Sequence, residues 1–213
     1  QNHDSSHTSE DAHGTTTIIG ASVESAEQAR ETVRHLIEAG AVVIKIALEP
    51  GGEHGAPWSG NSHGHGGPEL PWPILPLETV QAIVDEAHSL GKIVTAHVGE
   101  NVGVALALDA GVDEWSHVPC AAIDEDLLQK AADQGVKVVT TLDTLSSCTG
   151  IDANTSSLAA KGVTFIYGSE IGHNDVPWGI NAEELHRILH LTGTSPLEIF
   201  QLATSKAGET LGI

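Results

Sequence analysis

From residue 20 onward, the apolar positions alternate between two periods. Stretches with an apolar residue every three to four positions read as amphipathic helices. Each ends at a Gly, and a short apolar, β-branched run that reads as a strand follows at once. The first helix covers about 22 to 39, with Val23, Ala26, Ala29, Val33, Leu36 and Ile37 on one face. Ser25 and Gln28 are spaced for its capping box, and Gly40 sits where a left-handed residue stops a helix. AVVIKIAL then reads as a buried strand. A second helix, about 77 to 90, ends at Gly91 and precedes KIVTAHV. Asn101 opens a third that ends at Gly111, before VDEWSHV, and Asp124 opens a fourth that ends at Gly135, before VKVVTTL. A short helix near 154 to 161 ends at Gly162, before VTFIYGS, and helices near 181 to 192 and 196 to 211 follow.

Strands alternating with helices predict an α/β fold, a parallel sheet covered by helices. A closed barrel and an open doubly wound sheet share this grammar. No Gly-x-Gly-x-x-Gly turn and no phosphate-loop motif follows a strand, which disfavours a nucleotide-binding open sheet. The first 16 residues, QNHDSSHTSEDAHGTT, lack apolar periodicity, so 1–19 is expected as a polar loop or tail and 20–213 as the folded unit. His3, His7 and His13 show no ligand spacing and are read as solvated.

Composition narrows the partners. The 213 residues suit one domain, and the net charge of -20, from 9 basic and 29 acidic residues, disfavours nucleic acid and anionic membranes. No apolar run is long enough to span a bilayer and no leader is visible, so the cytoplasm is the default compartment. The chain contains no Met, and it is expected to begin after processing or after a missing piece. Cys120 and Cys148, outside any C-x-x-C pair, are expected as two buried or loop thiols, with a single bridge as the alternative.

The chemistry should lie at the C-terminal ends of the strands. Counted from the Gly that ends each helix, those positions carry Lys45, His97, His117, then Thr141 and Asp143, then Ser169 and Glu170. A lone strand His is commonly a hydrogen-bonded core residue. Two at equal depth in successive strands point to a shared metal, since neutral imidazole is a frequent ligand. A lysine buried in an apolar strand is costly when charged, and burial frees its neutral amine. That amine could form a Schiff base or a carbamate; the alternative is an ion pair with Glu170 or Asp113. Segment 51–74, rich in Gly, Pro and Trp, reads as a substrate loop or lid, or else as a disordered insertion. His54, Trp58, His63, His65 and Trp72 within it, and His173, Asp175 and Trp178 beyond Glu170, are candidate substrate contacts.

These motifs, "AGAVVIKI", "LPLETVQAIVDEAHSLGKIVTAHV", "AGVDEWSHV", "GVTFIYGSEIG" and the block from EELHRILH to the end, resemble the amidohydrolase superfamily, in its imidazolonepropionase-like and prolidase-like branch. The resemblance implies a distorted (β/α)8 barrel of which this chain supplies about strands four to eight, with one or two zinc ions. It implies Lys45 as the strand-four lysine, carboxylated in two-metal members, His97 and His117 as the strand-five and strand-six ligands, and Glu170 at the strand-eight position. There the family carries an Asp that binds metal and takes a proton from the attacking water. The family's strand-one His-x-His has no counterpart; His63-Gly64-His65 has the spacing but lies in the loop after Lys45. A half-barrel exposes sheet edges, so an N-terminal half, cleaved or separate, is expected to close it, and an oligomer is expected. Two functions follow. One is a zinc-dependent hydrolase of an amide or related C–N or ester bond. The other is a non-catalytic binding subunit that keeps the fold without the strand-one ligands.

Overall fold

A computed structural model describes residues 21–51, 73–171, 176 and 178–211, with the backbone of 8–10 and 16–18. The two N-terminal segments, β1 (Thr8–Glu10) and β2 (Thr16–Ile18), pair antiparallel within the stretch expected as a loop.

The alternating pattern then becomes α1 (Ala26–Glu38), β3 (Val43–Ala47), α2 (Leu77–Ser89), β4 (Ile93–His97), α3 (Asn101–Ala110), β5 (Glu114–Trp115), α4 (Glu125–Gln134), β6 (Lys137–Val139), α5 (Ile151–Ala160), β7 (Thr164–Ile166), α6 (Ala182–Thr192), α7 (Pro196–Leu202) and α8 (Ser205–Leu211). The glycines that punctuate it all hold positive φ, from 68° at Gly91 to 105° at Gly40, so the expected stops are real. α1 starts later than expected, because Ser25 is its N-cap and accepts from the Gln28 amide. The Gln28 side chain reaches back to the Glu24 amide, one residue short of closing the expected box. The last expected helix is broken into α7 and α8, and α7 opens with a true capping box between Ser195 and Glu198.

β3 to β7 form one parallel sheet in strict sequence order. A doubly wound sheet reverses its order at a switch point. This one never does: each strand joins the same advancing edge, as in a barrel wall.

Its register sorts the side chains. Ile46, Ala96, Trp115, Val138 and Phe165 are lateral neighbours in one row, all buried against the helix layer. The adjacent row is Lys45, Thr95, Glu114, Lys137 and Thr164. Successive residues in a strand face opposite sides, so this polar row lies on the face away from the helices. The strands expected to be apolar throughout therefore alternate. The expected burial of Lys45 is also not met: it stands exposed on edge strand β3.

Cys120 and Cys148 are joined in a disulfide with Cα atoms 4.9 Å apart, which corrects the expectation of two thiols. The spacing did not favour it, because a sequence separation of 28 hides that two successive strand-to-helix loops lie side by side. Among the described residues, no helix is long and apolar enough to cross a membrane.

Candidate metal centre

His97 is the last residue of β4 and shares a pleat face with Thr95, hence with Lys45 one lateral step away. Lys45 pairs with Thr95, while His97 pairs with Ala47, so the lysine lies two residues deeper than the histidine. His117 follows β5 by two residues and is buried at 3% exposure. The Ser116 amide donates to the Ala96 carbonyl at 2.8 Å, which carries the parallel pairing past Trp115 and sets Ser116 level with His97, with His117 one residue further on. The two rings meet edge to face, with centroids 4.8 Å apart and planes at 72°.

The next two strands deliver oxygen to the same ring. Thr141 Oγ1 lies 2.9 Å from His117 Nδ1, and Glu170 Oε2 lies 3.3 Å from that nitrogen. Both residues hold a φ of 55°, the only non-glycine positive φ values among the described residues. For a β-branched threonine that region is a true outlier, and such strain persists only where the surroundings impose it. The two strained residues thus converge on one nitrogen of one buried histidine. With Nδ1 engaged by oxygen, Nε2 is the ring nitrogen presented to a cation, the usual division of labour for a ligating histidine.

Behind this contact stands a polar support absent from the sequence reading. Glu184, on the buried face of α6, is fully buried, and its Oε2 accepts from the Asp143 amide at 2.7 Å. Burial raises its pKa, while hydrogen bonds from Thr140 and from the Leu142 and Asp143 backbone pull it back down. Asp143, expected at the strand end, accepts from Asn181 Nδ2 at 2.7 Å, and the Ser169 carbonyl accepts from Thr144 Oγ1. Both therefore brace the mouth. On the β5 side, Asn154 is 2% exposed and donates to the Pro119 and Ala121 carbonyls while accepting from the Ile123 amide. With the disulfide, it ties the loop that begins at His117 to α5. A carboxylate or amide among apolar helix positions was the available signal for both.

The remaining expectations divide. Trp178 is 86% exposed in this chain. His173 and Asp175, and His54, Trp58, His63, His65 and Trp72 in the 51–74 loop, lie outside the described residues. The ion pair suggested for Lys45 is not formed with either named partner. Asp113 accepts from the Val94 amide and meets His88 Nε2 at 2.8 Å, while Glu170 faces His117. Among the described residues, no three His, Cys, Asp or Glu side chains close into a coordination shell. The donor set is open: two imidazoles and one carboxylate in contact, with Lys45 on the pleat face of His97 two residues deeper. Nitrogen and oxygen donors of this kind suit zinc or a similar divalent ion.

No family model matches the chain. It is 27% identical over 202 residues to the ochratoxinase of Aspergillus niger, an alignment covering 87% of this chain and 39% of that protein. The crystal structure of that ochratoxinase superposes with a TM-score of 0.67 at 23% identity, covering 88% of this chain and 43% of that one. A Xaa-Pro dipeptidase solved with bound methionine gives a TM-score of 0.70 at 22% identity, over 90% of this chain and 48% of its own. A solved amidohydrolase gives 0.68 at 22% identity, over 92% and 48%. The chain thus spans about two fifths to one half of the proteins it matches. The chain is thus similar in sequence to the ochratoxinase, and the barrel wall it forms is shared with the solved dipeptidase and amidohydrolase over about half of each of those chains.

Proposed function

We propose that this chain is the ligand-bearing half of a metal-dependent hydrolase that cleaves an amide or related C–N bond, with His97, His117, Glu170 and Lys45 as the residues that hold the metal. One observation carries the reading: Thr141 and Glu170 both sit in strained backbone and both address His117 Nδ1. The names of the relatives, an ochratoxinase and a Xaa-Pro dipeptidase, support the hydrolase class.

A bound zinc ion supplies a water of pKa about 7 and polarises the scissile carbonyl. The chain's residues do the rest. Thr141 fixes the His117 ring so that Nε2 faces the mouth. Glu170, about a quarter exposed, stands where a water can reach it. Its carboxylate takes the proton of the attacking water and returns it to the leaving nitrogen as the C–N bond breaks. Lys45, on the pleat face of His97, is the proposed further ligand, carboxylated to an anionic carbamate. His173, Asp175, Trp178 and the 51–74 residues His54, Trp58, His63, His65 and Trp72 are the proposed substrate contacts. The open donor set and the two free edges of the sheet, β3 and β7, support an N-terminal half, cleaved or separate, as the partner that completes both barrel and site.

Metal analysis of the assembled protein tests this. About one or two zinc ions per assembly, lost together with amide hydrolysis in His97→Ala, are expected. A second reading, a non-catalytic binding subunit, is favoured by Glu170 lying on the nitrogen that Thr141 already serves. A metal-free assembly that still binds its ligand would establish that reading instead.

A further inference from the structure

Away from the mouth, the exposed face of α6 carries a second imidazole pair. His186 and His190 stand one helical turn apart, with Nε2 atoms 2.8 Å apart and ring centroids at 4.2 Å. On the far side of His186, Glu183 Oε1 lies 3.8 Å from Nδ1. A carboxylate at that distance makes no hydrogen bond to the ring, but its negative charge favours a cation beside His186. Glu184 and Ile188 of the same helix face the core, so the pair owes nothing to the barrel interior.

Two imidazoles at this spacing on one helix face are a recurrent metal-holding arrangement. The separation also says which metal fits. With metal–nitrogen bonds of about 2.0–2.1 Å, two nitrogens 2.8 Å apart subtend about 84–89° at the ion. That is a square-planar or octahedral angle, well short of tetrahedral. We infer that His186 and His190 form a surface site for a tetragonal or octahedral divalent metal, Ni2+ or Cu2+, with Glu183 adding negative charge beside it and water completing the sphere. In the bound form, His190 carries its proton on Nδ1, so that both Nε2 lone pairs reach the ion.

Nickel is the discriminating ion, because copper is favoured over zinc at any nitrogen site. The intact protein is titrated with Ni2+ beside His186→Gln and His190→Gln, each checked for unchanged helicity by circular dichroism. Ions held elsewhere are common to all three proteins and cancel. One fewer Ni2+ equivalent in each variant is expected, with loss of the Ni2+-induced rise in Tm. Equal Ni2+ binding by all three proteins overturns the site. Displacement of that Ni2+ by equimolar Zn2+ overturns the assignment of metal class.

Discussion

Thr141 Oγ1 reaches His117 Nδ1 at 2.9 Å from a backbone held at a φ of 55°. A threonine gains nothing locally from that conformation, which costs about 1–3 kcal/mol. Its hydroxyl is what the position requires. Thr141→Val keeps the shape and removes the hydrogen bond; metal affinity, read by competition with a chelator, is expected to fall about 10–100-fold. Thr141→Ser, which keeps the hydroxyl, should stay near wild type.

Glu170 carries the proton in the proposed reaction. Glu170→Gln is expected to lower kcat by about 10²–10⁴-fold with a smaller change in KM. Steady-state kinetics on an amide substrate decide this, and an unchanged kcat would remove Glu170 from the chemistry.

Glu184 gives a pH signature. Its pKa is raised, chiefly by burial, so the folded chain holds the proton more tightly than the unfolded chain. The stability it contributes is complete below its ordinary pKa of 4.5 and fades as pH rises through the raised value. Glu184→Gln should flatten that decline, by up to about 1.4 kcal/mol per pH unit. Urea unfolding across this window, wild type against variant, measures it. Parallel curves would refute the assignment.

The Cys120–Cys148 bond closes a long loop, and the chain-entropy relation gives it about 3–4 kcal/mol of stability. Protein purified without reductant should show no thiol at either position in a labelling assay. Its urea midpoint should drop on reduction, and Cys148→Ser should match the reduced wild type. Such bonds are rare in the cytosol, so this result would argue against the default compartment.

In α3, a Cβ on Gly103 would overlap the Leu48 carbonyl just past β3. Gly103→Ala should therefore cost about 1–3 kcal/mol, read as a lower Tm, despite the better helix propensity of alanine.

The helix stops were legible because each rests on local spacing, whereas that spacing suited a closed barrel and an open sheet alike and only the family resemblance of the motifs pointed to the barrel. Gly111 and Gly135 cap their helices where the apolar period ends. The count from Gly91 and Gly111 sets His97 and His117 level, whereas the register sets Ser116 level with His97, and the two rings meet from positions one residue apart in depth. The environment of Lys45 was not. A run of Val, Ile and Ala around it suggests burial, and only the register shows that alternate residues turn to opposite faces. The disulfide and the Asn154 anchor depend on two loops meeting across α4, which no single segment encodes. Glu184 was hidden for the same reason: its partners at 140–143 lie some forty residues away.

The row Lys45, Thr95, Glu114, Lys137 and Thr164 bears on how the protein is put together. A greasy inner wall would collapse onto any other greasy surface before its proper mate arrived. Lys45, Lys137 and Thr164 of this row stay wetted, while Thr95 and Glu114 are already covered. In the proposed two-part barrel, such a wall would favour a counterpart of matching charge and register, with hydrogen bonding along the flanks of β3 and β7 as the final zip.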